Sequence, residues 1–251
     1  MSSWSQNRKT IYALILVIAI IGIIGIPSFL LFYKAPTCFD GKQNGRETGL
    51  DCGGKCTRLC QSSFLAPNVA WSRIEKVVYG TYNAVAYIIN PNNEGEAKNV
   101  PYKMSLFDKD GMLIIENFGT VTIPPHRNTL AFSSLIKVGQ SIPAKVLFEF
   151  TGQPNWYKKP DTLAKLIVVN KDYKEEGQNS SLLVSLQNDG LKILNNIGVY
   201  TVLYDKNGNT IGFSKTIVDS ISPKSKIIAP FTWNTNRQGE VVSIEVLYVA
   251  E

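Results

Sequence analysis

Ser105-Leu106-Phe107-Asp108-Lys109-Asp110-Gly111 returns 97 positions later as Val202-Leu203-Tyr204-Asp205-Lys206-Asn207-Gly208. Each copy reads as the end of a β-strand and the turn that follows it. The aspartate at the head of the turn, Asp108 or Asp205, can accept hydrogen bonds from backbone amides. The closing glycine, Gly111 or Gly208, can take the positive φ that a short hairpin needs. Asp108 and Asp110 could also be read as a catalytic or metal-binding carboxylate pair, but turn chemistry accounts for them without a ligand. Three further landmarks keep step with this one. Asn99-Val100 aligns with Asn196-Ile197 at the same offset, while Ile123-x-Pro125 aligns with Ile221-x-Pro223, and Lys145–Phe150 with Ser243–Tyr248, at 98. Landmarks recurring in one order at a near-constant offset indicate a duplicated unit. Each copy is the size of a small β-sandwich domain.

The segments around these landmarks are rich in Val, Ile, Tyr and Phe and are broken by Asn, Gly and Pro, a strand-and-turn composition. Ala84–Ile89, Tyr102–Phe107, Lys145–Phe150, Leu182–Leu186, Val199–Tyr204 and Val241–Val249 are predicted strands. Val146, Phe148 and Phe150, and likewise Ile244, Val246 and Tyr248, alternate with period two and should share one face of a sheet.

Leu-Phe-Asp-x-x-Gly and Leu-Tyr-Asp-x-x-Gly, each followed by Ile-x-Pro, with Asn90 and Asn188 preceding, resemble the FxLYD domain of prokaryotic membrane and secreted proteins. The resemblance spans both copies. It implies immunoglobulin-like sandwiches, carries no known enzymatic activity and supplies no functional residues to transfer. The expected fold class is all-β: two tandem immunoglobulin-like β-sandwiches, residues 69–151 and 161–251, behind one transmembrane helix and a small Cys-rich module. Thr151–Asp161, with two prolines and a glycine, should be the joint between sandwiches. Its Trp156 and Tyr157 either dock on a domain or form an exposed ligand platform. Gln61–Asn68 reads as a similar joint ahead of the first sandwich.

Outward from the body, the N-terminal region holds a different signal. Ile11 to Phe32 is a run of 22 residues without a charge. As a helix at about 1.5 Å per residue it spans roughly 33 Å, enough for a hydrocarbon core of about 30 Å. Residues 11–33 are the predicted span, bracketed by Tyr12 and Tyr33 at interfacial depths. Residues 1–10 form a head containing Arg8 and Lys9 and no acid, so the head is expected in the cytoplasm and the C-terminal domains outside. A cleaved signal peptide is the competing reading. The core is longer than such peptides carry, and Phe29–Lys34 offers no small-residue cleavage site.

All four cysteines, Cys38, Cys52, Cys56 and Cys60, fall in a segment of residues 38–60. Outside the cytosol an even count in so short a stretch predicts two disulfides of undetermined pairing. Zinc is the alternative, disfavoured by gaps of three residues where structural sites prefer two. The pattern C-x-D-G-x-x-N-G-x-E-x-x-x-D-C-G-G-x-C across Cys38–Cys56 resembles a short Cys-rich module of bacterial surface and secreted proteins, which implies an extracellular setting. Asp40, Asn44, Glu47 and Asp51 offer the hard oxygen ligands calcium prefers, though not at EF-hand spacing. The plainer reading has these side chains capping turns.

No nucleophile elbow, phosphate loop, dinucleotide fingerprint or zinc-protease motif occurs, and His126 is the single histidine. No catalytic residue or cofactor is therefore assigned. The formal net charge of +6 is scattered, with Lys158-Lys159 the one doublet of note in the body, so a nucleic-acid partner is not expected. The expected function is non-enzymatic: a single-pass cell-membrane protein binding or scaffolding an envelope protein or cell-wall partner. The alternatives are a subunit of an envelope assembly or secretion complex, and a calcium-stabilised adhesin.

Overall fold

The computed structural model describes residues 3–158, 163, 165–176, 179–233 and 239–250, with side chains from residue 7 onward. Lys159, Pro160 and Asp161 of the expected joint, and the ends of the head and of the second sandwich, lie outside the described residues. The chain divides into two compact units, Met1–Asp51 and Cys52–Glu251, so the boundary falls within the Cys-rich segment.

The first unit begins with α1 (Ser3–Ile20), one π-helical turn (Ile21–Gly25) and α2 (Ile26–Phe32). The wide turn precedes Pro27, which has no N–H and whose ring would crowd a carbonyl of an undistorted helix. Within Asn7–Phe32 the most apolar 18-residue window has a mean hydropathy of 2.9, and none of it is buried.

The second unit is all antiparallel β. Six strands build the first sandwich: β1 (Asn68–Val78), β2 (Thr81–Ile89), β3 (Glu96–Phe107), β4 (Leu113–Ile123), β5 (Thr129–Lys137) and β6 (Lys145–Phe150). A two-residue β7 (Trp156–Tyr157) pairs with the start of β3. Six more form the second: β8 (Leu166–Glu176), β9 (Asn179–Asn188), β10 (Leu194–Tyr204), β11 (Thr210–Ile221), β12 (Lys226–Trp233) and β13 (Ser243–Ala250). The sheet orders correspond strand for strand. β1-β2-β5 stacks on β4-β3-β6 in the first, and β8-β9-β12 on β11-β10-β13 in the second. The third and fifth strands of each set join opposite sheets, the crossing that characterises immunoglobulin-like sandwiches.

Period two governs the packing. Ala84, Ala86, Ile88, Tyr102, Met104, Leu106, Val146 and Phe148 fill the first core, and Leu182, Val184, Leu186, Ile197, Val199, Leu203 and Phe231 the second. Ile244, Val246 and Tyr248 line the second core from β13.

The recurring sequence landmarks mark matched backbone features. Asn99 and Asn196 lie at φ 52° and 50°, Asn99 where the register of β3 with β4 slips and Asn196 at a position left out of the otherwise regular β10–β11 pairing; Asn tolerates the left-handed region better than branched residues do. Asp108 Oδ1 accepts from the amides of Asp110 and Met112 at 2.9 and 2.8 Å, and Asp205 Oδ1 from those of Asn207 and Asn209 at 2.8 Å each. Gly111 and Gly208 close these turns at φ 80° and 77°.

Candidate functional site

The two sandwiches are welded together by a third apolar cluster, and the sequence patterning explains how. In β2, Ala84, Ala86 and Ile88 point into the first core, leaving Val85, Tyr87 and Ile89 on the opposite face. In β10, Val199 and Leu203 point into the second core, leaving Tyr200, Val202 and Tyr204 outside. These outer faces meet. Val85, Tyr87, Leu130, Tyr200, Val202, Phe213 and Val249 are buried together, with Trp71, Phe132 and Leu247 packed beside them. Phe132 and Phe213 stack edge to face at 5.9 Å.

A polar cluster closes the rim of this interface. The Tyr87 hydroxyl donates to Glu245 Oε1 and the Tyr204 hydroxyl to Oε2, both at 2.8 Å. Asn128 Nδ2 donates to the Tyr87 oxygen at 3.0 Å, and the Arg127 guanidinium lies 4.8 Å from the centre of the Tyr248 ring. Burial, reinforced by the Glu245 carboxylate, pushes the Tyr87 hydroxyl up to about 12. The same two causes raise Tyr204 further. One carboxylate thus bridges a tyrosine from each sandwich, and both hydroxyls stay protonated at neutral pH.

The faces not used in this contact differ in chemistry. Strand register sets Lys103, Glu116 and Glu149 of the first sandwich where the second has Tyr200, Phe213 and Leu247. There Lys103 Nζ lies 2.8 Å from Glu116 and 3.4 Å from Glu149. Glu116 raises the Lys103 ammonium above its usual range, and Lys103 in turn holds the Glu116 carboxyl low. On the other side, Trp71, Tyr87 and Phe132 are replaced in the second sandwich by Asn170, Ser185 and Pro230.

The expected joints are docked rather than loose. Trp156 is buried at 1 % exposure and stacks on Phe64 at 5.2 Å. The Leu59 amide donates to the Trp156 carbonyl, and the Lys158 amide to that of Thr57. Trp156 therefore belongs to the first core, and half-exposed Tyr157 continues β7. The segment carrying Cys52 and Cys60 is held against the first sandwich.

Every cysteine is disulfide-bonded, and Cys52 pairs with Cys60. The thiolates that zinc would need are consumed, so the zinc alternative falls. In the first unit, Asp51 Oδ1 accepts from the amides of Asp40 and Gly41 at 3.0 Å each. Asp40 accepts from the amides of Thr37 and Lys42 and from Asn44 Nδ2, and Glu47 accepts from the Asn44 amide at 3.4 Å. Of the four candidate calcium ligands, Asp40, Glu47 and Asp51 thus cap backbone amides of one turn network, and Asn44 joins it by donating to Asp40. The Asn44 amide, followed by the Thr37 amide, holds the Asp40 carboxyl below its usual range.

His126 is exposed on a turn at φ 58°, with Lys224 at φ 57° in the matching turn of the second sandwich. Asn188 is fully buried; its Nδ2 donates to the carbonyls of Lys192 and Ile221 and its Oδ1 accepts from Gly190. Asn90 ties the same corner of the first sandwich through the Pro124 carbonyl at 2.7 Å. A cleft of about 180 Å³ lies between the sandwiches, lined by Glu75, Lys76, Asn83, Phe213, Ser214 and Trp233. That is below the usual range of small-molecule pockets. An open trough of about 500 Å³ follows the edges of β1 and β6 past Arg73 and Lys145.

No protein-family model matches the chain, and no curated protein is significantly similar to it. Among solved structures it is similar to a β-glucuronidase from glycoside hydrolase family 2, at 10% identity over 63% of this chain and 21% of that one, with a TM-score of 0.24. Red sea bream transglutaminase gives 12% identity over 72% of this chain and 28% of that one, with a TM-score of 0.23. The chain spans 21% and 28% of the length of these proteins, and likenesses this slight carry no argument about activity. The class that fold and site define is an all-β protein of paired sandwiches behind an apolar N-terminal helix.

Proposed function

We propose that this is a membrane-anchored binding or scaffolding protein, non-enzymatic, whose paired sandwiches are displayed outside the cytoplasm as one rigid piece. The observation that carries the reading is the helix from Asn7 to Phe32. Its apolar residues ring the whole circumference and none of its most apolar stretch is buried against protein. Such a surface is stable only in hydrocarbon. Arg8 and Lys9 beside it favour a cytoplasmic N-terminus. The disulfides fit an oxidising compartment on the other side. The matched strand orders and turn residues support duplication of one module, as the FxLYD resemblance implies. The fused interface supports display over catalysis, because it fixes two recognition scaffolds in one orientation.

Expression of the full chain in bacteria tests this. The protein should stay in the membrane after alkaline carbonate washing and retain its N-terminus by mass spectrometry. Protease added to spheroplasts should remove the β body. Recovery of a soluble chain shortened near residue 33 would replace the anchor with a signal peptide.

A further inference from the structure

One end of the first sandwich holds large apolar side chains in solvent. The β1–β2 turn, the β3–β4 turn and the β5–β6 loop meet there. The Val138 amide donates to the Gly80 carbonyl at 2.9 Å, and the Ala144 amide to the Phe107 carbonyl at 2.8 Å. Gly80, at φ 69°, approaches so closely that an added Cβ would lie 2.5 Å from the Gly139 oxygen. From this joined rim project Tyr79, Met112 and Ile142, at 76%, 68% and 73% exposure. Val78 and Leu113 beside them are also exposed.

The second sandwich shows that the fold does not require these residues. By strand register, Val78, Leu113 and Met112 correspond to Glu176, Thr210 and Asn209, and Ile142 to Glu240. The same end of the same architecture thus has polar residues at these four positions, with Val242 exposed beside them. Charge differs as well. Lys76, Lys109, Lys137 and Lys145 surround the apolar group in the first sandwich. Of the two acids there, Asp108 is occupied in capping its turn. The second sandwich keeps Lys206 and the capping Asp205 at the corresponding end, and has Glu175, Glu176 and Glu240 in place of Lys76, Val78 and Ile142.

We propose that this end of the first sandwich docks on an anionic lipid surface. Apolar side chains on separate turn tips can enter the headgroup boundary one by one, and a tyrosine is suited to that depth. Lysine stems lie along the apolar group while their ammonium groups reach anionic phosphates. Self-association through this end would set lysines against lysines across a two-fold axis. The chain enters this sandwich at the opposite end, where Leu59 and Phe64 crowd Gly95 and the Leu65 amide donates to Asn92. This inference rests on the anchored reading above.

The test uses the full chain reconstituted into phosphatidylcholine vesicles, whose protein content is first confirmed by flotation. Loss of flotation would count against the anchor, not against the tip. Separate dye-filled vesicles containing phosphatidylglycerol are then added and capture is counted. Capture of these, but not of pure phosphatidylcholine vesicles, is expected, and it should weaken with added salt. Tyr79→Ser with Met112→Ser and Ile142→Ser should abolish it while leaving the melting temperature unchanged. Lys109→Glu should lower it by at least about fivefold, the scale of one basic contact at an anionic surface. Equal capture of neutral vesicles, no capture by the wild type, or undiminished capture by the triple variant would overturn the proposal; failure of the wild type alone would leave a protein-binding tip in its place.

Discussion

Asn188 shows how much one polar side chain can carry. It is fully buried, and its amide group makes two donor contacts and one acceptor contact that join the β9–β10 corner to the end of β11. Asn188→Ala removes all three and strands buried carbonyls, so a loss of about 2–3 kcal/mol is expected in urea unfolding. Asp205→Ala should cost less, because its turn is open to water. The exposed caps set a pH dependence of definite sign. The carboxyls of Asp40 and Asp205 are held low by amide donors. Their support is therefore present above the usual carboxylate pKa of about 3.9 and is lost as pH falls through the lower folded-state value. NMR titration of the two side chains checks this, and calcium added to the same sample tests the ion reading. Displacement of the amide contacts at Asp40 and Asp51 would support it, and unchanged shifts would leave them as caps. The turn aspartates and glycines were legible in the sequence because turn chemistry is local. The oxygen-rich segment was less so, since the same residue types serve a cation or a backbone amide equally well.

Among elements, the welded faces are the feature that alternation alone does not disclose. Period two told which residues of β6 and β13 share a side. What marks β2 and β10 as covered on both sides is the absence of alternation: Ala84-Val85-Ala86-Tyr87-Ile88-Ile89 and Val199-Tyr200-Thr201-Val202-Leu203-Tyr204 are nearly continuous apolar runs, whereas their counterparts Leu182-Leu183-Val184-Ser185-Leu186-Gln187 and Tyr102-Lys103-Met104-Ser105-Leu106-Phe107 admit polar residues. A strand with no polar side is a strand with no wet side. The expectation of a joint at Thr151–Asp161 misled for a related reason, since proline and glycine report local stiffness but not whether Trp156 finds a core. Phe213→Ala removes an edge-to-face partner of Phe132 from the middle of the weld, and a loss of about 3–5 kcal/mol is expected. It should appear as a second, lower transition of one sandwich in calorimetry. Tyr87 and Tyr204 add an alkaline limit. Their folded-state pKa values are raised, so their contribution is intact below the usual tyrosine value of about 10 and disappears as pH climbs past about 12 for Tyr87. Tyr87→Phe together with Tyr204→Phe should flatten that dependence in pH-jump fluorescence.

For the whole molecule, the weld couples stability to geometry. With the sandwiches sharing a core, small-angle scattering from the detergent-solubilised chain should fit one rigid β body, and Glu245→Lys should broaden that fit by setting a cation between the two hydroxyls. The contact itself is heterologous: the outer face of β1-β2-β5 meets the outer face of β11-β10-β13, two surfaces that are not each other's mirror. Contacts of that kind have no inherent limit and can run on into fibres. Here growth is blocked at both terminal surfaces. Lys103, Glu116 and Glu149 occupy the place of Tyr200, Phe213 and Leu247, while Asn170 and Ser185 occupy that of Trp71 and Tyr87. The pair is thus a polymer stopped at two units. Lys103→Tyr, Glu116→Phe and Glu149→Leu would unseal one terminus, and growth into a filament would also need Asn170→Trp, Ser185→Tyr and Pro230→Phe to unseal the other.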